Sequence, residues 1–162
     1  MKKKLFAIVL VILCCALLAS LLVGCNDLGE KVGQVTITIE CKTILDNMDK
    51  VEQGLLDNNI IPEDGVILKK TTATIYEKDN VYTLLKRVCK QNKIHLDYDY
   101  EAVFQTYYIK AINHIYEMSV GESSGWMYFI NGMEADKGAS LYKLKGGEDI
   151  LFAYTVVVGD LK

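Results

Sequence analysis

"VYTLLKRVCKQN", Val81 to Asn92, decides the fold, because its apolar residues recur as only one face of a helix allows. Val81, Leu84, Leu85, Val88 and Cys89 fall on a single stripe, and Asp79 or Asn80 stands where a cap accepts the first free N–H groups. The helix should end near Asn92. A stripe of that width must be buried against something, and the segments on either side alternate as strands do.

Upstream, "VTITIEC" sets Val35, Ile37, Ile39 and Cys41 against Thr36, Thr38 and Glu40, the period of a half-buried strand. Between Lys42 and Asn59 the pattern loosens: Leu45, Met48, Leu55 and Leu56 could share a helical face capped by Asp46 or Asn47, but Gly54 weakens it. Pro62-Glu63-Asp64-Gly65 is a turn, with Val66–Leu68 and Thr72–Tyr76 expected as short strands after it. Downstream, "IHLDYDYE" places Ile94, Leu96, Tyr98 and Tyr100 opposite His95, Asp97, Asp99 and Glu101. Side chains two apart on a strand diverge, so the carboxylates read as a solvated face and no metal site is expected. Nothing in the sequence sets His114 beside His95.

Tyr107–Ile112 is a further strand, with Asn113-His114 as its turn and Ile115–Met118 as its return. Next comes "SGWMYFING", Ser124 to Gly132. As a strand it sends Trp126, Tyr128 and Ile130 to one face and Met127 and Phe129 to the other, and Asn131-Gly132 suits a type I′ hairpin turn. Ser140–Lys143, the turn Lys145–Asp149 and the apolar "ILFAYTVVV", a central strand covered on both sides, complete the chain. The fold class is therefore α+β: a β-grasp-like mixed sheet packed on one main helix, with β-hairpins at the C-terminal end.

The chain's beginning carries an address. Met1–Lys4 is basic, Leu5–Val23 is almost wholly apolar, and Leu22-Val23-Gly24-Cys25 resembles a bacterial lipobox. The expected organisation is a lipoprotein signal peptide over 1–24, an acylated tether over 25–34 with the lipid on Cys25, and a single ligand-binding domain over 35–162. That places the domain on the extracellular side of the cell membrane, held by its N-terminal lipid. Loss of Lys2, Lys3 and Lys4 leaves 15 basic residues against 21 acidic ones, which disfavours nucleic acid as a partner. Cys41 and Cys89 are the cysteines left beyond the lipidated one, and in an oxidising compartment they are expected to form a disulfide.

The succession "TITIECKTILDN", "VYTLLKRVCKQNKI" and "GESSGWMYFINGMEADKGASLYKLKGGEDILFAYT" resembles a family of bacterial extracytoplasmic domains of unknown function, similar to the C-terminal domain of transcobalamin and intrinsic factor. Ser-Gly-Trp-Met-Tyr…Asn-Gly followed by Tyr-x-Leu-x-x-Gly-x-x-Ile is the most specific part. The resemblance implies a soluble-ligand-binding fold that closes over one face of a corrinoid or similarly flat molecule, with no required cofactor. The chain departs from the family where relatives carry cysteine, at Val120, at Ala139 and after Tyr154-Thr155.

The ligand surface is expected at Ser124, Gly125, Trp126 and Tyr128, extended by Tyr142 and by Tyr107 or Tyr108, since aromatic rings offer flat apolar area with polar edges. Gly125 would let the backbone approach closely, while Phe129 would be the core residue of that strand. A transporter would receive the captured molecule. The other reading is a display domain that docks a surface protein or a glycan through the same aromatic edge. No enzyme is expected: Gly121-Glu122-Ser123-Ser124-Gly125 lacks the strand-to-helix setting of a reactive serine, and no metal or phosphate motif is present.

Overall fold

The computed structural model describes residues 28–157 and 159–161, so the signal segment and Cys25 lie outside the described residues. Eight strands and three short or medium helices follow in the order β1 (Lys31–Glu40), α1 (Lys42–Leu45), a 3-10 turn (Met48–Lys50), α2 (Gln53–Asp57), β2 (Val66–Tyr76), α3 (Val81–Asn92), β3 (Leu96–Glu101), β4 (Thr106–Ile112), β5 (Ile115–Tyr116), β6 (Gly125–Ile130), β7 (Met133–Glu134) and β8 (Asp149–Thr155).

The larger sheet runs β2-β1-β8-β6-β7, with β1 parallel to β8 and the other neighbours antiparallel. This is the mixed, β-grasp-like arrangement, and β8 is its central strand as the apolar run implied. A second sheet, β3-β4-β5, stands beside it where a single sheet was expected. Strand pairing also begins earlier: Lys31–Gln34, assigned to the tether, already belong to β1. The two strands expected over 66–76 are one, because irregularities in the β1–β2 register carry the ladder past Lys69 and Lys70.

The α3 helix occupies the residues its periodicity marked. Asn80 accepts a bond from the Thr83 N–H and Thr83 Oγ1 accepts one from the Asn80 N–H, a reciprocal cap. Lys93 closes the other end in the left-handed conformation, φ 56°. Val81, Leu84, Leu85, Val88 and Cys89 bury against Val35, Ile37 and Ile39 of β1 and Ile150 and Phe152 of β8. Over 42–57 there is no common helical face. Ile44 is buried while Leu45 and Met48 are exposed, because the chain breaks into three short turns.

Cys41 and Cys89 are free, buried thiols, which corrects the expected bridge. Each fills its own cluster, Cys89 with α3 and Cys41 with Ile44, Leu55, Ile115 and Tyr154. Burial pushes both thiols up to about 12, so neither is a ready nucleophile.

Candidate functional site

Two short strands leave a cleft between the sheets. β5 pairs only with Ala111 and Ile112 of β4, and β7 only with Phe129 and Ile130 of β6. Where they stop, Thr106–Ile109 of β4 and Trp126–Tyr128 of β6 line a cavity of about 460 Å³. Phe152 lines it too, as do Gly138 and Ala139, while Glu101 comes from the end of β3 and Phe104 from the β3–β4 turn. Ligand pockets typically span ~300–1,000 Å³ with mostly apolar walls, a range that includes this one.

The walls are held by their backs. Tyr128 lies over Phe152, its neighbour in the β6–β8 register, with centroids 5.7 Å apart. Its hydroxyl donates to the Lys137 carbonyl and is pushed up to about 12 by burial, then by Asp136 and Tyr142. Trp126 donates its Nε1–H to the Ile115 carbonyl at 2.8 Å and meets Tyr154 edge-on at 5.2 Å. Tyr107 stacks on Tyr82 at 4.1 Å, with Tyr98 and Tyr100 edge-on to it. Tyr108 is 42% exposed and donates to Glu117. Gly138 lets the far wall pass over β4: a Cβ there would lie 2.1 Å from Thr106 Oγ1. Ser140 then bonds the Thr106 hydroxyl at 2.9 Å.

Of the residues marked in the sequence, Trp126, Tyr128, Tyr107 and Tyr108 meet at this cleft. The other three do not. Ser124 is 5% exposed and closes the 120–124 turn, accepting from the Val120 N–H and bonding the Tyr154 hydroxyl at 2.8 Å. Gly125 opposes Thr155 in the sheet, and a Cβ there would touch only Glu117 at 3.8 Å, so no close approach requires glycine. Tyr142 sits at the start of α3, its carbonyl accepting from the Val81 N–H and its ring under the Lys137 ammonium. Missed in the sequence were Glu101, Phe104, Gly138 and Phe152; two adjacent small residues, Gly138-Ala139, were the available sign of a close crossing.

The faces of β6 are also reversed. Trp126, Tyr128 and Ile130 pack toward the core, whereas Phe129 is half-buried on the opposite face and joins neither cluster. A second correction concerns the histidines. His95 and His114 stack at 4.0 Å, because the Asn113-His114 turn, with both φ positive, folds back so that the Asn113 N–H donates to the His95 carbonyl. Burial, then the neighbouring His114, holds His95 below its usual pKa. Asp99 pairs with Lys110 at 3.1 Å on the outer face of β3. Among the described residues no three acidic, histidine or cysteine side chains gather as metal ligands would.

Residues 78–156 match a family described as a domain of unknown function, DUF4430. Haptocorrin, solved in complex with Cbi, is similar in fold at a TM-score of 0.54 and 12% identity, over 78% of this chain and 26% of that one. The chain thus spans about a quarter of haptocorrin's length. A protein of Ruminococcus gnavus ATCC 29149 with a suggested metal-binding role aligns over 76% of this chain and 96% of its own, at 10% identity and a TM-score of 0.44. No curated protein matches. From the cap of α3 through β8, then, the chain matches the model of a domain of unknown function, DUF4430, and in fold it is similar to haptocorrin.

Proposed function

We propose that the protein is a lipid-anchored surface module that captures a flat, largely apolar small molecule of corrinoid type in the β4–β6 cleft and hands it to a transporter. The observation that carries this reading is the cleft itself: Trp126, Tyr107 and Tyr128 converge on one cavity whose walls are apolar and whose edges bear hydroxyls. Its volume suits one edge or face of a larger planar molecule rather than the whole of it. Similarity in fold to haptocorrin supports the class of ligand, since that protein was solved with Cbi. Trp126 is the chain's single tryptophan and lines the cleft, so it reports directly on occupancy.

The test is titration of the domain, freed of residues 1–25, with cobalamin and with cobinamide. Saturable quenching of Trp126, with matching heat in calorimetry and a shift in the corrinoid's visible absorbance, is expected. Unchanged fluorescence and no heat with both compounds would sink the corrinoid reading. The anchor is tested separately. Changing Cys25 to Ala should release the domain from membranes or leave its signal segment uncleaved, and unaltered processing and retention would refute acylation at that cysteine.

A further inference from the structure

The cleft has a charge as well as a shape. Its lining carries one carboxylate, Glu101 at the end of β3, and no basic side chain. Glu101 forms no ion pair with a described residue. Of the cations on adjoining segments, Lys110 pairs with Asp99 at 3.1 Å, Lys137 lies over the Tyr142 ring at 5.0 Å and Lys86 over the Tyr98 ring at 5.1 Å, and none of the three lines the cleft. A second carboxylate, Glu117, is bound by the hydroxyl of the cleft residue Tyr108. That hydroxyl is pushed up to about 12 by burial, then by Glu117, with Glu101 adding to the effect, so Tyr108 lies in the field of both acids. The walls act in the same sense: Trp126, Tyr107 and Tyr128 line the cleft, and an aromatic π-system attracts a cation and repels an anion at its face.

We propose that the cleft selects flat organic cations, with Glu101 at the mouth as counter-ion and the aromatic walls as the stacking surface. This inference rests on the cleft being a ligand site and adds the sign of the ligand's charge. A delocalised cation fits better than a compact ammonium, since it loses less hydration on entering an apolar cavity. The carboxylate stands at the rim, beside the half-open turn that holds Phe104, 69% exposed. From there it can meet charge at the ligand's edge while the rings take its face.

Three planar probes of nearly equal shape decide the matter: N-methylacridinium, acridine at mildly alkaline pH where it is neutral, and acridine-9-carboxylate. Each is titrated into the full-length chain in a non-ionic detergent, with Trp126 fluorescence as the readout. The cation should bind about tenfold more tightly than the neutral probe, and the anion most weakly of the three. Glu101→Gln should bring the cation-to-neutral ratio down toward one, and Glu101→Lys should reverse the order in favour of the anion. Both changes are at an exposed position, where substitutions leave folding intact. Equal affinities for all three probes, or a ratio unmoved by Glu101→Gln, would overturn charge selection while leaving the cleft as a binding site. Failure of every probe to quench Trp126 would overturn both.

Discussion

Replacing Trp126 by alanine is expected to cost about 3 kcal/mol of stability and to lower the melting temperature by about 10 °C. The side chain is half-buried, so the lower end of the range for aromatic truncation applies, but it touches both apolar clusters at once. Its indole N–H is also bonded to the carbonyl of Ile115, a fully buried residue, and alanine leaves that carbonyl without this donor. Trp126→Phe keeps a smaller aromatic ring and loses the bond with part of the packing, an expected cost of about 1–2 kcal/mol. Phe129→Ala, on the outer face, should also cost only about 1 kcal/mol, because the ring packs against neither cluster. Thermal unfolding followed by circular dichroism ranks the three. If Phe129→Ala proves as damaging as Trp126→Ala, the orientation of β6 given by its register with β8 is wrong.

That orientation could not be read from the strand alone. Gly125–Ile130 is apolar on both sides, so a period of two separates Trp126, Tyr128 and Ile130 from Met127 and Phe129 without saying which set faces inward. The answer lies in the pairing of Tyr128 with Phe152 and of Ile130 with Ile150, whose side chains lie under α3. By contrast, β1 and α3 were legible because each mixes polar and apolar residues in register with its own period. Turn chemistry was legible for the same local reason: Asn131-Gly132 takes φ of 53° and 78°, as a type I′ turn requires. The cleft was half legible. Aromatic content marked Trp126, Tyr128, Tyr107 and Tyr108, but Phe152 reaches Tyr128 only through the β6–β8 register and Glu101 reaches β4 only through the β3–β4 register, and strand pairing leaves no local periodicity. His95 and His114 illustrate the same limit, because nothing near either residue encodes the fold-back that stacks them.

A second large effect is expected at Asp79, which is 1% exposed where the chain passes from β2 into α3. Its carboxylate accepts from Arg87 Nη1 at 2.8 Å and Nη2 at 2.6 Å, from the Tyr76 N–H at 2.9 Å and from the Thr83 hydroxyl at 3.0 Å. Arg87 in turn donates to the Thr74 carbonyl and lies over the Tyr76 ring, so the pair ties the edge strand to the helix. Asp79→Ala removes four acceptor contacts and leaves the guanidinium, 19% exposed, without its counter-ion, at an expected cost of about 3 kcal/mol. The charge itself can be tested through pH. Burial, the largest single influence on Asp79, acts to raise its pKa, but the bonds from Arg87, Tyr76 and Thr83 with the guanidinium's charge outweigh it and hold the carboxyl below 3.8. A carboxyl depressed on folding contributes its stability in full above the unfolded value and loses it as pH falls from there through the folded one. The wild-type chain should therefore weaken as pH drops below about 4. Asp79→Asn should start less stable at neutral pH and weaken less on acidification. Asp149 and Asp160, also held low, keep a residual slope in that variant. Urea unfolding of both proteins at neutral pH and near pH 3 measures the difference. Parallel losses in the two would mean that Asp79 acts through its shape and hydrogen bonds alone, with no stabilising contribution from its charge beside Arg87.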